Sequence, residues 1–253
     1  MEMGLVKERE VVFISGGSRG IGAATAVKLA QSGFDIAIGF RTAQSDAQRV
    51  IQECKTYGVR AVAVQMDVCR KEDVERGMRA IKWEMGSLPM VLIHCAGISR
   101  VGLIQDVTEE EYEEMMNVHV RGAIYLIQQV VNDMIRNQYG RIILLSSIWA
   151  EAGGAGEVLY STAKGAINGL VRSLAKELAP SAITVNAVAP GAIATDMVTN
   201  HLNDVEQHML AEEIPLGRLG EANEVAEMIA YLCERRAGYV TGQVLHINGG
   251  WYP

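Results

Sequence analysis

The sequence predicts an α/β protein, a doubly wound parallel sheet of about seven strands in a single domain spanning residues 1–253. Short β-type runs alternate with amphipathic segments along the whole chain. The runs are apolar throughout rather than at every second position, as expected of parallel strands covered on both faces. No linker or low-complexity stretch interrupts the series.

In order, VVFIS (11–15), DIAIGF (35–40), AVAVQM (61–66), MVLIH (90–94), RIILLS (141–146), ITVNAV (183–188) and QVLHI (243–247) read as strands. Between them, segments 22–32, 43–57, 71–85, 110–137, 158–179 and 221–235 have helical length and periodicity. The longest irregular piece runs from about Pro190 to Gly220, the position expected of a lid over a site.

Composition narrows the class. Hydrophobic residues make up 49% and charged residues 21%, ordinary for a soluble globular protein able to bury a sizeable core. A net charge of −7 argues against a general nucleic-acid binder. No run of about 18 apolar residues predicts a membrane span, and MEMGLVKEREVVF does not read as a secretory signal. Cys54, Cys69, Cys95 and Cys233 are scattered, without a CxxC pair, so reduced, mostly buried thiols and a cytoplasmic location are expected. The five histidines form no metal-ligand pattern, and no metal is expected.

The first strand leads into SGGSRGIGAATAVKLA. Gly16, Gly20 and Gly22 fall at GxxxGxG spacing where a strand hands over to a helix. Glycines there permit a tight turn and close backbone approach to a pyrophosphate at a helix N-terminus, the Rossmann-type arrangement. Dinucleotide folds that prefer NAD usually carry an acid at the end of the second strand. Here that strand ends Gly39-Phe40-Arg41, and Arg19 adds a second positive charge inside the turn. Two arginines suit a ribose 2′-phosphate, so NADP(H) is the expected cofactor. Two solvated surface arginines are the alternative.

SSIWAEAGGAGEVLYSTAK (146–164) places Ser147 thirteen residues before Tyr160 and Lys164 four after it. At helical spacing Tyr160 and Lys164 share a face. A lysine near a phenol favours the phenolate, lowering a pKa of about 10 toward use as a proton donor. Taken alone, the pair also fits a partly buried tyrosine with a solvated lysine.

Together these motifs resemble the short-chain dehydrogenase/reductase family, over nearly the whole chain. The family's TGxxxGxG appears as SGGSRGIG, with Ser15 replacing threonine. Its catalytic serine matches Ser147, its YxxxK matches Tyr160 to Lys164, and its catalytic asparagine matches Asn117 of MMNVHVRG. Its PG turn matches Pro190-Gly191, followed by AIATDM, and TGQVLHINGGW resembles its last strand and subunit-contact tail.

The resemblance implies carbonyl reduction. Tyr160 protonates the carbonyl oxygen while hydride reaches the carbon, and Ser147 polarises that oxygen. Lys164 lowers the tyrosine pKa and binds the nicotinamide ribose, and Asn117 holds a water linking Lys164 to solvent. The implied cofactor contacts are Gly16, Ser18, Arg19, Gly20, Ile21, Gly22 and Arg41, then Asp67 and Val68, Cys95, Ala96 and Gly97, and finally Tyr160, Lys164, Pro190, Gly191, Ile193 and Thr195. For Asp67 a helix N-cap before KEDVERG is the alternative. The family's Asn-Asn-Ala-Gly is here His94-Cys95-Ala96-Gly97, so the two asparagine side-chain bonds are missing. His94 is expected to be a satisfied structural histidine, and Cys95 a buried thiol. A homotetramer is implied.

Within the family the chain looks most like 3-oxoacyl-acyl-carrier-protein reductases. The turns Arg136-Asn137-Gln138-Tyr139 and Pro180-Ser181-Ala182 carry little charge for docking an acidic carrier. SSIW, EVLYS and the HCAG segment also resemble reductases that finish a 5-aminopentanone modification on elongation factor P. In that reading Trp149 and Glu157 line the entrance and Glu157 attracts an ammonium. The alternative is that Trp149 packs in its loop and Glu157 is solvated. A cofactor-binding regulatory protein without turnover is the reading from another class, opposed by the complete set Asn117, Ser147, Tyr160 and Lys164.

Overall fold

The computed structural model describes residues 9–195, 198 and 203–252. Seven parallel strands form one sheet in the order β3-β2-β1-β4-β5-β6-β7. They are β1 (Val11–Ser15), β2 (Asp35–Phe40), β3 (Ala61–Gln65), β4 (Val91–His94), β5 (Gly140–Leu145), β6 (Ile183–Pro190) and β7 (Val244–Ile247). Alternate residues of β1 face opposite cores: Val11 and Phe13 pack on one side, Val12 and Ile14 on the other. Both faces are buried, which is why the strand reads as an unbroken apolar run. Partial exposure is concentrated in the edge strands β3 and β7.

Helices α1 (Gly20–Gln31) and α2 (Gln44–Thr56) contribute Leu29, Val50 and Ile51 to one face of the sheet. Helix α3 (Lys71–Met85) contributes Met78 and Ile81 to the other. The chain winds outward from β1 through β3 and then crosses back to place β4 beside β1. This reversal opens a crevice at the carboxyl ends of β1 and β4, the usual ligand position in such sheets.

Two expectations are corrected. The helix expected over 110–137 is interrupted. Helix α4 (Glu109–Met116) starts at a capping box between Thr108 and Glu111. It passes through a π-turn, Asn117–Arg121, before α5 (Gly122–Asn137). In this turn the Gly122 N–H bonds the Asn117 carbonyl five residues back. A single wide turn leaves the apolar periodicity almost intact, so the sequence pattern reads straight through it.

The 190–220 segment is not irregular throughout. It contains a helix, Asp204–Glu213, started by an Asn203–Glu206 capping box. The short turn α6 (Trp149–Ala152) and the long helix α7 (Val158–Leu178) precede it, so this helix is α8. Its exposed, weakly amphipathic side chains carry little periodic signal. Part of the expected lid, residues 196, 197 and 199–202, lies outside the described residues, as do residues 1–8 of the N-terminal segment read for a signal. The last helix is α9 (Ala222–Cys233). Among the described residues no helix is long and apolar enough to cross a membrane, and no three His, Cys, Asp or Glu side chains are grouped to hold a metal ion.

Candidate active site

The glycine turn joins β1 to α1 at the crevice. Gly16 and Gly20 have φ of +65° and +52°, the left-handed region that favours glycine. A Cβ on Gly16 would stand 2.8 Å from the Ala96 backbone, and one on Gly22 would stand 2.3 Å from the Gly16 carbonyl. The turn is therefore folded closely onto itself and onto the β4 end, with no side chain at Gly16, Gly20 or Gly22 to stand between backbone and ligand. Ser18 is buried within it, Ile21 packs against the core under α1, and Arg19 is exposed at the N-cap of α1. Such a bare backbone cradle at a helix N-terminus fits a pyrophosphate, so the residues present suit a dinucleotide.

Arg41 follows β2 at the same end of the sheet and is exposed, its carbonyl held by Gln65 Nε2 at 2.9 Å. Asp67 Oδ1 accepts the Cys69 N–H at 3.0 Å. The N-cap of α3 is Arg70, so Asp67 shapes the turn after β3 and is not the cap. Val68 is buried against Gly122. Cys95, Ala96 and Gly97 leave β4 half-buried. Across the crevice, Thr195 Cγ2 lies 3.4 Å from where a Gly20 side chain would begin. The stretch from Pro190 and Gly191 to Ile193 reaches it by a bridge between Ile193 and Gly220. A cavity of about 250 Å³ lies behind this stretch, lined by Ile193, Ile214, Leu216 and His246, and neither Tyr160 nor Lys164 lines it.

Ser147 lies two residues past the end of β5, and Tyr160 and Lys164 lie one turn apart on α7. Lys164 is buried, its Nζ donating to the Leu145 carbonyl at 2.6 Å and standing 5.3 Å from the Tyr160 ring centroid. Burial pushes the Lys164 pKa down to about 7. Burial, with the nearby Glu157 carboxylate adding to it, pushes Tyr160 up to about 12, and a hydrogen bond with Ser147 lowers it. The expected lowering of Tyr160 by Lys164 is thus corrected in this structure. A lysine spending its donor on a backbone carbonyl, and itself desolvated, contributes less than the loss of water takes away. Asn117, half-buried, opens the π-turn.

A family model described as "Enoyl-(Acyl carrier protein) reductase" matches residues 16–252. A Serratia marcescens short-chain dehydrogenase/reductase carrying two substitutions superposes with a TM-score of 0.88 at 31% identity, covering 96% of this chain and 97% of that one. The chain belongs to the short-chain dehydrogenase/reductase family.

Two relatives extend the comparison. A Staphylococcus epidermidis protein named 3-oxoacyl-[acyl-carrier-protein] reductase FabG is 37% identical, over 95% of this chain and 98% of its own. A Bacillus subtilis protein named Uncharacterized oxidoreductase YmfI is 38% identical, over 96% and 99%.

This short-chain dehydrogenase/reductase has site neighbours that motif reading missed. His119, two residues past Asn117, is buried and meets Tyr160 edge-on with ring centroids 5.5 Å apart. Its Nε2 lies 2.8 Å from the Ile98 carbonyl, and its Nδ1 is buried without a hydrogen-bond partner. A Cβ on Gly97 would meet this ring at 2.7 Å. Ser99 donates to Glu157 at 3.1 Å, and Trp149 packs edge-on to Trp251 at 5.2 Å. Ring contacts and register across strands carry these relationships, and no local spacing encodes them.

Proposed function

We propose that the protein is an NADPH-dependent ketone reductase of the 3-oxoacyl-acyl-carrier-protein reductase type, converting a 3-oxoacyl thioester to a 3-hydroxyacyl thioester. The observation that carries this reading is the convergence of two hydroxyl groups, on Ser147 and Tyr160, beside buried Lys164. Two donors at one point suit a single developing oxyanion. The name borne by the Staphylococcus epidermidis relative supports the substrate class.

NADPH, when bound, supplies the hydride for the carbonyl carbon. Ser147 holds the carbonyl oxygen, and Tyr160 transfers its phenolic proton to that oxygen, leaving a phenolate. In its protonated form Lys164 stabilises the phenolate as it forms; it also binds ribose hydroxyls, and a water held by Asn117 returns the proton. Positioned acid catalysis of this kind contributes roughly 10²- to 10⁴-fold. Arg19 and Arg41 grip the 2′-phosphate, the 190–220 segment covers the substrate, and the assembly is a homotetramer in the cytoplasm. The test follows NADPH oxidation with an acetoacetyl thioester, and the absence of turnover counts against the reading.

A second reading, reduction of a 5-aminopentanone group on elongation factor P, is favoured by Glu157. This carboxylate is half-buried, burial raises its pKa, and its hydrogen bond comes from the neutral Ser99. Neighbouring Arg100 is engaged by Glu111 and Glu114. A carboxylate placed so suits a substrate ammonium. Glu157→Gln then costs about 1 kcal/mol or more on the aminoketone, mainly through KM, beyond whatever kcat change both substrates share through Tyr160, and leaves the KM of the thioester nearly unchanged. Comparing kcat/KM of both proteins on both substrates separates the readings. Thioester turnover with no activity on the modified factor eliminates the second, and the reverse eliminates the first.

A further inference from the structure

Where β1 and β4 end side by side, Ser15 and His94 are register partners, so their side chains leave the sheet on one face. Ser15 Oγ lies 2.8 Å from His94 Nδ1. On the other side of the ring, Nε2 lies 3.2 Å from the carbonyl oxygen of Val118. A carbonyl only accepts, so Nε2 carries the proton. The neutral ring then presents a lone pair at Nδ1, and the Ser15 hydroxyl donates to it. Ser15 Oγ in turn accepts the Ala96 N–H at 3.2 Å. Three hydrogen bonds thus run from the crevice wall at Ala96, through Ser15 and His94, to the π-turn. His94 and Ser15 are 2% and 0% exposed, so neither has water to substitute for these partners.

Val118 directly follows Asn117, the first residue of that turn. Closing the wide turn to a regular helix would rotate Asn117 by about 100° relative to α5. The carbonyl of Val118 is where the helix is tied from outside, and a side chain engaging the helix ladder is one recognised cause of such irregularity. Burial and the charge of Lys164 hold the ring neutral, the state these bonds require.

We propose that His94 is a positioning residue, holding the Asn117 turn in register with the Ser15–Ala96 wall of the cofactor crevice. This rests on the reading of Asn117 as part of the catalytic set. The residue occupies the place of a motif asparagine, and its longer ring spans from Ser15 to the helix.

A double-mutant cycle tests it, with kcat for acetoacetyl-coenzyme A reduction at saturating NADPH as readout. His94→Leu removes both ring bonds and lowers kcat roughly tenfold or more, the scale of a misplaced catalytic group. In an Asn117→Ala background the same change has less than about a twofold further effect, because there is no side chain left to position. His94→Gln, which keeps an N–H donor able to reach Val118, recovers part of the loss. Costs that multiply in the double variant overturn the proposal while leaving the Asn117 assignment intact. Wild-type kcat in Asn117→Ala alone removes that assignment and the proposal with it. Should His94→Leu not fold, or the probe not turn over, ¹⁵N-detected tautomer analysis of the wild-type protein at pH 7 decides. A proton on Nε2 alone supports the network, and a proton on Nδ1 overturns it.

Discussion

The amine of Lys164 stands over the Tyr160 ring, 5.3 Å from its centroid, and gives its hydrogen bond to the carbonyl of Leu145 instead of to the phenol. Lys164 is buried and Tyr160 half-buried, and each is held toward its neutral form, Lys164 near 7 and Tyr160 near 12. The two groups share one helix face, the amine titrating near neutral pH and the phenol keeping its proton, and they make separable predictions.

Tyr160→Phe keeps the ring and its edge contact with His119 and removes only the proton donor. Turnover falls below about a tenth of wild type, within the range expected for loss of a general acid. NADPH still binds, read by fluorescence titration. Activity above that level removes Tyr160 from the acid role.

Lys164→Met separates burial from charge through pH. Lys164 has a folded pKa of about 7 against 10.5 for the free side chain. Below pH 7 it is protonated in both states, and the buried charge costs stability in full. Between pH 7 and 10.5 the folded protein sheds the proton that the unfolded chain keeps, so this cost falls as pH rises. The stability difference between Lys164→Met and wild type, from urea melts, therefore shifts in favour of wild type between pH 6 and pH 9. A difference independent of pH contradicts the shift. Turnover and NADPH affinity both fall in the variant.

Cofactor choice is expected to follow from Arg19 and Arg41, which lie exposed at the N-cap of α1 and just after β2. A charge-assisted contact is worth about 1.5–3 kcal/mol, so kcat/KM for NADPH exceeds that for NADH by more than about tenfold. Arg41→Asp reverses or erases the preference. Equal efficiencies in wild type count against it.

Assembly follows from β7, an edge strand whose four residues are all only partly buried in the single chain. An open edge is a surface for pairing, and closed symmetry is the common form of soluble oligomers. Sedimentation at micromolar concentration gives a tetramer, and a monomer contradicts this. The tail expected to reach a partner also folds onto its own chain, with Trp251 on Trp149 and Tyr252 beside His246.

By itself the sequence determined the sheet and its chemistry-bearing motifs, because their signals are local. Unbroken apolar runs mark strands buried on both faces, and the glycine spacing at Gly16, Gly20 and Gly22 marks a backbone that must close on itself. The order of Ser147, Tyr160 and Lys164 is legible for the same reason, one helical turn separating the last two. Only the tertiary structure decided what depends on residues distant in the chain. The π-turn at Asn117 shifts a helix by one residue without disturbing its apolar periodicity. His94 meets Ser15, 79 residues earlier, solely because strand crossing makes β1 and β4 neighbours. The protonation of Tyr160 and Lys164 was likewise out of reach, since burial outweighs pair spacing and burial is a property of the whole packed chain.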